Sequence, residues 1–151
     1  MFIPTPSGRS RYNVLGMIDP ITQNFISVCN TTYINHLTVI ELLENTREMH
    51  KDNDVPISIF LDNAKYQRCK PVIDRAEFLK IELMFLPSYS PNLNLIERLW
   101  KWVKKDSLNC RYYSKFSEFK TAIDNSLNKI LTSEAKEDLN SLLSLKFQLF
   151  K

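Results

Sequence analysis

A chain of 151 residues with 44% hydrophobic and 25% charged residues is long enough to bury the core of one globular domain. No stretch approaches the roughly 18 consecutive apolar residues of a membrane-spanning helix, and residues 1–10 lack the apolar segment of a signal peptide. The cysteines Cys29, Cys69 and Cys110 are widely spaced and form no CxxC pair, so they exclude a disulfide framework, argue against a zinc site and fit reduced thiols in a cytosolic protein.

The net charge of +3 is unevenly distributed along the chain. Residues 1–56 carry 4 basic and 6 acidic groups, a balance of −2, and residues 57–115 carry 11 basic and 6 acidic groups, a balance of +5. The remaining residues, 116–151, are neutral with 5 groups of each sign. A basic middle segment suits a polyanionic partner such as nucleic acid, although a lysine-rich solvated surface explains the same distribution.

Hydrophobic periodicity and turn residues predict the elements of the first half of the chain. After a flexible lead-in over residues 1–10, these are strands over 13–18 and 25–30, a helix over about 35–50 and a strand over 57–61. The first helix is expected to bury a stripe made of Leu37, Ile40 and Leu43, because these residues recur at helical spacing.

The second half of the chain is predicted to contain more helix than strand. Its elements are a helix over 71–79, a strand over 82–86, and helices over about 93–108, 115–131 and 133–145. The loop over 87–91 is expected to be rigid, because each of its two prolines fixes its own φ and restricts the preceding residue. The helix that follows is predicted to bury Ile96, Leu99, Trp100 and Val103.

Two acidic residues stand out by their contexts. Asp62 ends the apolar run ISIFLD, and Glu97 follows SPNLNLI at the start of an amphipathic helix. Carboxylates at a strand end and on a nearby helix are a common way to hold a divalent cation. Their separation of 34 residues carries no weight, since Asp19 and Asp54 are equally far apart. Local patterns alone also explain Asp62 as a turn residue and Glu97 as the partner of Asn94 in a capping box.

The segments LDNAKYQ, LPSYSPNLNLIERLW and KWVKK, in that order, closely resemble the second half of the catalytic domain of DDE transposases. The match is to the mariner superfamily and its bacterial insertion-sequence relatives, and it runs from about Asn13 to near the C-terminus. The resemblance implies an α/β, ribonuclease-H-like domain, here over residues 11–151. It also implies an endonuclease that cleaves and transfers DNA strands, with transposon ends and target DNA as partners.

The resemblance assigns metal-binding roles to the two acidic residues. In the family, the Asp of the DN(A) motif and the Glu of the SP-x-LN-x-(I)E motif are the second and third metal-binding carboxylates, and they map onto Asp62 and Glu97. The complete family site holds two Mg²⁺ or Mn²⁺ ions. Asn63 matches the Asn that follows the catalytic Asp and would position the phosphate or a metal-bound water, although a turn cap explains it equally well. Many relatives have a His where this chain has Gln67, so no histidine role carries over.

Basic residues beside these motifs are predicted to bind the DNA backbone. They are Arg68, Lys70, Lys101, Lys104 and Lys105. An intrahelical ion pair with Glu97, four residues earlier, is the alternative for Lys101. A plain solvated surface explains Arg68 and Lys70 equally well.

One element of the family's fold is not found in the sequence. The family's first strand is central and carries the first catalytic Asp, whereas the strand over 13–18 resembles the family's second strand. Asp19 cannot substitute, because it lies in the turn after that strand, at the end of the sheet opposite Asp62. We therefore expect a ribonuclease-H-like domain that lacks its first, Asp-bearing central strand, as in the C-terminal part of a frameshift-split, truncated or decayed transposase.

Such a fragment is expected to be inactive by itself, and to be unstable or oligomeric, because losing a central strand exposes the edges of its neighbours. Its expected partners are further copies of the chain or a missing N-terminal transposase segment, with a cytoplasmic, nucleoid-associated location. The alternative function is a non-catalytic DNA-binding or protein-interaction remnant of a transposase. Another ribonuclease-H-like nuclease fits less well, since SPNLNLIE resembles transposases specifically.

Overall fold

A computed structural model gives the fold of residues 2–4, 10–52, 55–88, 93–132 and 135–144. The described elements, in chain order, are β1 (Phe2–Pro4), β2 (Arg11–Ile18), β3 (Phe25–Asn30), α1 (His36–Met49), β4 (Ile57–Leu61), a 3₁₀ turn (Lys65–Gln67), α2 (Lys70–Phe78), β5 (Ile81–Phe85), α3 (Leu95–Leu108), α4 (Phe116–Leu131) and α5 (Lys136–Leu142). Every predicted strand and helix is present, with ends that differ by a few residues. Both predicted ends of the last helix, and residues 89–91 of the predicted rigid loop, lie outside the described residues.

The strands form two separate sheets. β1, β2 and β3 pair antiparallel in that order, and β4 pairs parallel with β5. Part of the expected lead-in is therefore a strand, because Phe2–Pro4 pairs with the start of β2. β1 carries no carboxylate, and among the described residues no strand pairs with both β2 and β4.

β2 lies between two hydrophobic cores, because successive side chains of a strand point to opposite faces. Tyr12 and Val14 belong to a core built with α3, α4 and α5, whereas Leu15 and Met17 pack against a second core. The residues that form that second core come from α1, α2, β4 and β5: Val39, Leu43, Ile59, Val72, Ala76 and Ile81. β2 thus joins the part of the molecule that holds β4 to the part that holds α3.

α3 packs closely onto β2 through Trp100. The Trp100 side chain is 5% exposed and meets the Phe25 ring edge-on, with centroids 6.1 Å apart. A Cβ on Gly16 would lie 2.6 Å from Cη2 of Trp100, so only glycine allows this approach. Arg98 and Trp102 fix the other side of α3, since Arg98 donates to the carbonyls of Leu142 and Ser144 and Trp102 donates to Asp138.

The predicted apolar stripe of α1 is confirmed at Leu43 and in part at Ile40, which packs against the second core, and is wrong at Leu37. Leu37 is 61% exposed, whereas Val39, Leu42 and Leu43 are buried. The buried face follows positions 39, 42, 43 and 46, and it includes Thr46, whose hydroxyl donates to the carbonyl of Leu42. Because this hydrogen bond satisfies its hydroxyl, Thr46 can be buried in the core. A pattern of apolar residues does not reveal such a position. No helix in the described part of the chain is long and apolar enough to cross a membrane.

Candidate metal centre

Asp62 lies directly after β4, at the carboxyl end of the two-stranded parallel sheet. Leu61 pairs with Phe85, and the amide of Leu86 donates to the carbonyl of Leu61 at 2.9 Å, so both strands end at the same edge. The side chain of Asp62 is exposed and accepts no hydrogen bond from the backbone of its own turn. Its carboxylate therefore does not serve as an ordinary turn former.

Asn94 brings the start of α3 to this carboxylate. The Asn94 side-chain amide donates to Oδ1 of Asp62 at 2.7 Å, across 32 residues of sequence. The same side chain caps α3, because its Oδ1 accepts from the amide of Ile96 at 3.2 Å. Asp62 consequently sits at the N-terminus of a helix, where the helix dipole stabilises negative charge.

Glu97 occupies the first turn of that helix, immediately beyond the cap. Its backbone amide donates to the carbonyl of Asn94 at 3.1 Å, and its side chain is half-buried. Within the described residues the Glu97 carboxylate makes no hydrogen bond and no ion pair. The capping-box alternative is therefore only half realised, since Asn94 caps the helix and Glu97 does not bond back.

Asn63 belongs to a small polar network beside Asp62. Arg68 donates to Oδ1 of Asn63 at 2.8 Å, and the Asn63 amide donates to the hydroxyl of Ser88 at 3.3 Å. The Arg68 guanidinium also lies over the ring of Phe85, 5.7 Å from its centroid. These contacts hold a positive charge at the edge of the sheet where Asp62 emerges.

Two neighbours in the 3₁₀ turn have different roles. Gln67 is buried, and its side-chain oxygen accepts from the amide of Ala64, so the residue at the family's His position closes a turn of its own backbone. Tyr66 is partly exposed, and burial together with the negative charge of Asp62 raises its pKa. Tyr66 thus lies within electrostatic range of Asp62, a proximity that the sequence analysis missed.

The three predicted DNA-binding lysines of α3 extend from Glu97 along the solvent side of the helix. Lys101, Lys104 and Lys105 are exposed and form no ion pair with the described residues, so Lys101 does not pair with Glu97. Seven residues of helix separate Glu97 from Lys104, a rise of about 10 Å. These ammonium groups are free to meet an anionic ligand that reaches Glu97.

Lys70 is placed differently from the other predicted DNA-binding residues. It begins α2, and its ammonium forms an exposed ion pair with Asp74 at 2.9 Å. The structure therefore brings Asp62 to the cap of α3, one turn before Glu97, and places the bonded pair Asn63 and Arg68 directly after Asp62, whereas Lys70 already has a partner of its own.

Asp19 belongs to the opposite end of the molecule. Its carboxylate accepts from the amides of Ile21 and Thr22 and from the hydroxyl of Thr22. Burial raises the pKa of this carboxyl, but the hydrogen bonds from Thr22 and Ile21, together with the charge of His50 at the C-terminal cap of α1, lower it overall. Arg47, in the last turn of α1, donates to the carbonyls of Leu79 and Lys80 just before β5 begins, so this end of the sheet is the one where β5 starts. Asp19 is a turn residue far from Asp62.

The donors at the cap of α3 fit a hard divalent cation. Carboxylate oxygens are the ligands that Mg²⁺ and Mn²⁺ prefer, and Mg²⁺ commonly takes one or two carboxylates together with water and substrate phosphates. Among the described residues, Asp62 keeps one oxygen outside its bond to Asn94, and Glu97 keeps both. In the part of the chain that the structure describes, no group of three or more His, Cys, Asp and Glu side chains comes together.

Comparison with known protein families matches the larger part of this chain to one family. The family described as DDE superfamily endonuclease matches residues 3–120, which include β2 through α3 and both acidic residues of the site. No curated protein matches the chain.

Solved structures with the same fold are distant in sequence. The catalytic domain of Mos1 mariner transposase is 14% identical with a TM-score of 0.61, and 98% of this chain aligns with 81% of that chain. The Mos1 catalytic domain with raltegravir and Mg is 16% identical with a TM-score of 0.64, over 98% of this chain and 82% of that one. A chain of the simian T-cell lymphotropic virus intasome, in complex with a PP2A regulatory subunit, is 13% identical with a TM-score of 0.51, over 82% of this chain and 44% of that chain. The α/β fold predicted from the sequence is thus confirmed as ribonuclease-H-like.

Proposed function

The chain belongs to the DDE superfamily endonucleases, and on this basis we propose that it forms part of a transposase catalytic domain that cleaves and transfers DNA strands with divalent metal ions. The observation that carries the proposal is the contact of Asn94 with Asp62, which joins the carboxyl end of β4 to the helix turn that holds Glu97. The bacterial insertion-sequence type and a cytoplasmic, nucleoid-associated location are part of the same proposal.

Asp62 and Glu97 are the residues that hold the metal. Asp62 offers the oxygen that does not bond to Asn94, and Glu97 offers a carboxylate with no partner in the part of the chain that the structure describes. Held by Asp62 and Glu97, divalent ions would supply the chemistry of activating a water or 3′-hydroxyl and stabilising the leaving 3′-oxygen. The solved Mos1 catalytic domains that contain Mg and Mn support this choice of cation.

The DNA backbone follows the exposed side of α3 away from the site. Lys101, Lys104 and Lys105 contact successive phosphates, because they extend from Glu97 without carboxylate partners in the described structure. Arg68 is held by Asn63 next to Asp62 and contacts the phosphate nearest the metal. Asn63 thereby acts through Arg68, as a residue that positions the substrate. Lys70 contributes a weaker contact, because Asp74 competes for its ammonium.

A further carboxylate completes the site from outside the residues gathered at α3. No Asp or Glu precedes Asp19 in the sequence, and Asp19 is engaged in a turn at the opposite end of the sheet. We infer that a strand bearing this carboxylate pairs with β4 and with the part of β2 that follows its pairing with β1, supplied by an upstream transposase segment or by another copy of the chain. Without it, this chain alone is inactive.

A non-catalytic, DNA-binding remnant is the second candidate. It is favoured by one observation, the lack of a third acidic side chain near Asp62 and Glu97 among the described residues. In this case the lysines of α3 still bind DNA, whereas divalent metal has no specific site.

Isothermal titration with Mn²⁺ separates the two functions. The wild-type chain is expected to bind Mn²⁺, and Asp62→Ala and Glu97→Ala are each expected to weaken this binding by about 100-fold or more, since each removes a direct ligand. Asp19→Ala is the matched control and should bind as the wild type does. If the wild type shows no binding, or if all four proteins bind equally, the metal-dependent function is wrong and the remnant is favoured.

A further inference from the structure

Two helices of this protein begin with an asparagine cap, and only one of the two caps touches a carboxylate. Asn35 caps α1, with its Oδ1 accepting from the amides of Leu37 and Thr38 at 3.0 and 3.2 Å. Asn94 caps α3 with its Oδ1 on the amide of Ile96 at 3.2 Å, and its amide nitrogen also donates to Asp62. The Asn35 amide nitrogen donates to no acceptor in the described residues.

Capping alone does not require asparagine at position 94. Serine and aspartate cap helices about as well, because an N-cap needs only a side-chain acceptor. Asparagine adds two N–H donors on the same planar group as that acceptor. At Asn94 the acceptor is fixed by α3 and a donor is fixed by Asp62, so the two hydrogen bonds together determine the orientation of the side chain.

The contact also restricts Asp62. Its carboxylate has no other hydrogen-bond partner among the described residues, and its side chain is exposed. Without Asn94 the carboxylate would rotate freely and would have to be ordered when it binds an ion. With Asn94, Oδ1 is held at 2.7 Å from the amide while Oδ2 stays available. Hydrogen bonds of this kind to ligating carboxylates are worth 10- to 100-fold in metal affinity.

We propose that Asn94 is a positioning residue of the metal site, which couples the cap of α3 to the orientation of Asp62 and so brings Asp62 and Glu97 to a common cation. This inference rests on the proposed function, because it assumes that Asp62 binds metal. It assigns to Asn94 a role in metal affinity that differs from its role in helix stability.

The test compares matched substitutions at the two caps, with Mn²⁺ titration and urea unfolding measured on the same chain. Asn94→Ser keeps the capping acceptor and removes the donor, and it is expected to weaken Mn²⁺ binding by about 10-fold or more with a urea midpoint close to that of Asn35→Ser. Asn35→Ala is expected to lower the urea midpoint and leave Mn²⁺ affinity unchanged. Asn94→Ala should show both losses.

The outcomes separate this inference from the proposed function. If the wild type binds Mn²⁺ through Asp62 while Asn94→Ser binds as tightly as the wild type, the positioning role is wrong and the function stands. If Asn35→Ala weakens Mn²⁺ binding as much as Asn94→Ser does, general destabilisation explains the effect, which also overturns the inference. If Asp62→Ala leaves Mn²⁺ binding of the chain unaltered, the proposed function fails and the inference fails with it.

Discussion

Asp19 and Asp62 occupy similar places in the sequence, since each follows an apolar strand and precedes a turn, but the fold uses them differently. Asp19 accepts three hydrogen bonds from Ile21 and Thr22, all within its own turn. Asp62 accepts none from its turn and is held by Asn94, from a helix 32 residues further along the chain. A carboxylate satisfied by its own backbone stabilises a turn, whereas one held from another element remains available to a ligand.

The surroundings of the two ends strengthen this difference. On α3, whose cap residue Asn94 contacts Asp62, the Glu97 carboxylate and the lysines lack partners in the described residues. At the end that holds Asp19, Lys51 pairs with Glu48 at 2.7 Å, and Gln23 donates to Asn140. The charged and polar groups named at the Asp19 end are therefore paired with one another, whereas Glu97 and the lysines of α3 have no partners in the described residues.

The largest expected difference between the Asp62 end and the Asp19 end is in the stability that the protein gains when it binds metal. At a free Mn²⁺ concentration of 100 times the dissociation constant, the free energy of unfolding of the wild type should rise by about 2.7 kcal/mol. Asp19→Ala should retain this increase, and Asp62→Ala should lose it. Urea unfolding with Mn²⁺ and with EDTA measures both variants. Equal increases in the two variants would contradict the assignment of Asp62 as a ligand.

Without metal, Asp19→Ala should have the lower free energy of unfolding of the two variants, which is the reverse of the order expected with Mn²⁺. Asp19→Ala removes three hydrogen bonds from a half-buried carboxylate and should lower the free energy of unfolding by about 1–2 kcal/mol. Asp62→Ala removes one exposed hydrogen bond and should cost less than about 1 kcal/mol. Urea unfolding in EDTA checks the order. A larger loss in Asp62→Ala would mean that Asp62 is a structural residue.

DNA affinity should depend on lysines at only one end. The double substitution Lys101→Gln and Lys104→Gln should reduce the slope of log K against log salt by about 2, since each phosphate contact contributes about 0.9. Lys51→Gln, at the end that holds Asp19, is the matched control and should leave the slope unchanged. Fluorescence anisotropy with a duplex oligonucleotide at several salt concentrations measures the slope. If Lys51→Gln reduced the salt slope as much as each lysine substitution on α3 does, the attraction to DNA would be non-specific.

The smallest expected effect is the pH dependence of the contribution that Asp19 makes to the free energy of unfolding. Burial raises the pKa of Asp19, but hydrogen bonds from Thr22 and Ile21 outweigh burial and hold its pKa below the usual value of an aspartate. A lowered folded-state pKa stabilises the fold above the unfolded-state pKa, and this stability is lost as the pH falls through the folded-state value. The stability difference between wild type and Asp19→Asn should therefore be constant above about pH 5 and shrink below about pH 4. A difference that grows on acidification would contradict the assignment.

Sequence patterns predicted the order of the elements and most of the buried face of α3. Leu99, Trp100 and Val103 are buried as predicted and Ile96 only partly, because a helix against one sheet shows a regular apolar face. The face of α1 was predicted correctly at Leu43 but not at Leu37, and the buried Thr46 was missed because its hydroxyl is satisfied within the helix. The strand Phe2–Pro4 was missed because three residues with a proline carry little strand signal.

The sequence by itself determined where the strands and helices lie and which motifs carry the family resemblance, because periodicity and turn chemistry are properties of neighbouring residues. It identified Asp62 and Glu97, and it recognised Asn94 only as a helix cap. The tertiary structure decided which aspartate is satisfied by its own turn and which is held by another element. A hydrogen bond between residues 32 apart depends on how β4 and α3 pack, and no local pattern contains that information.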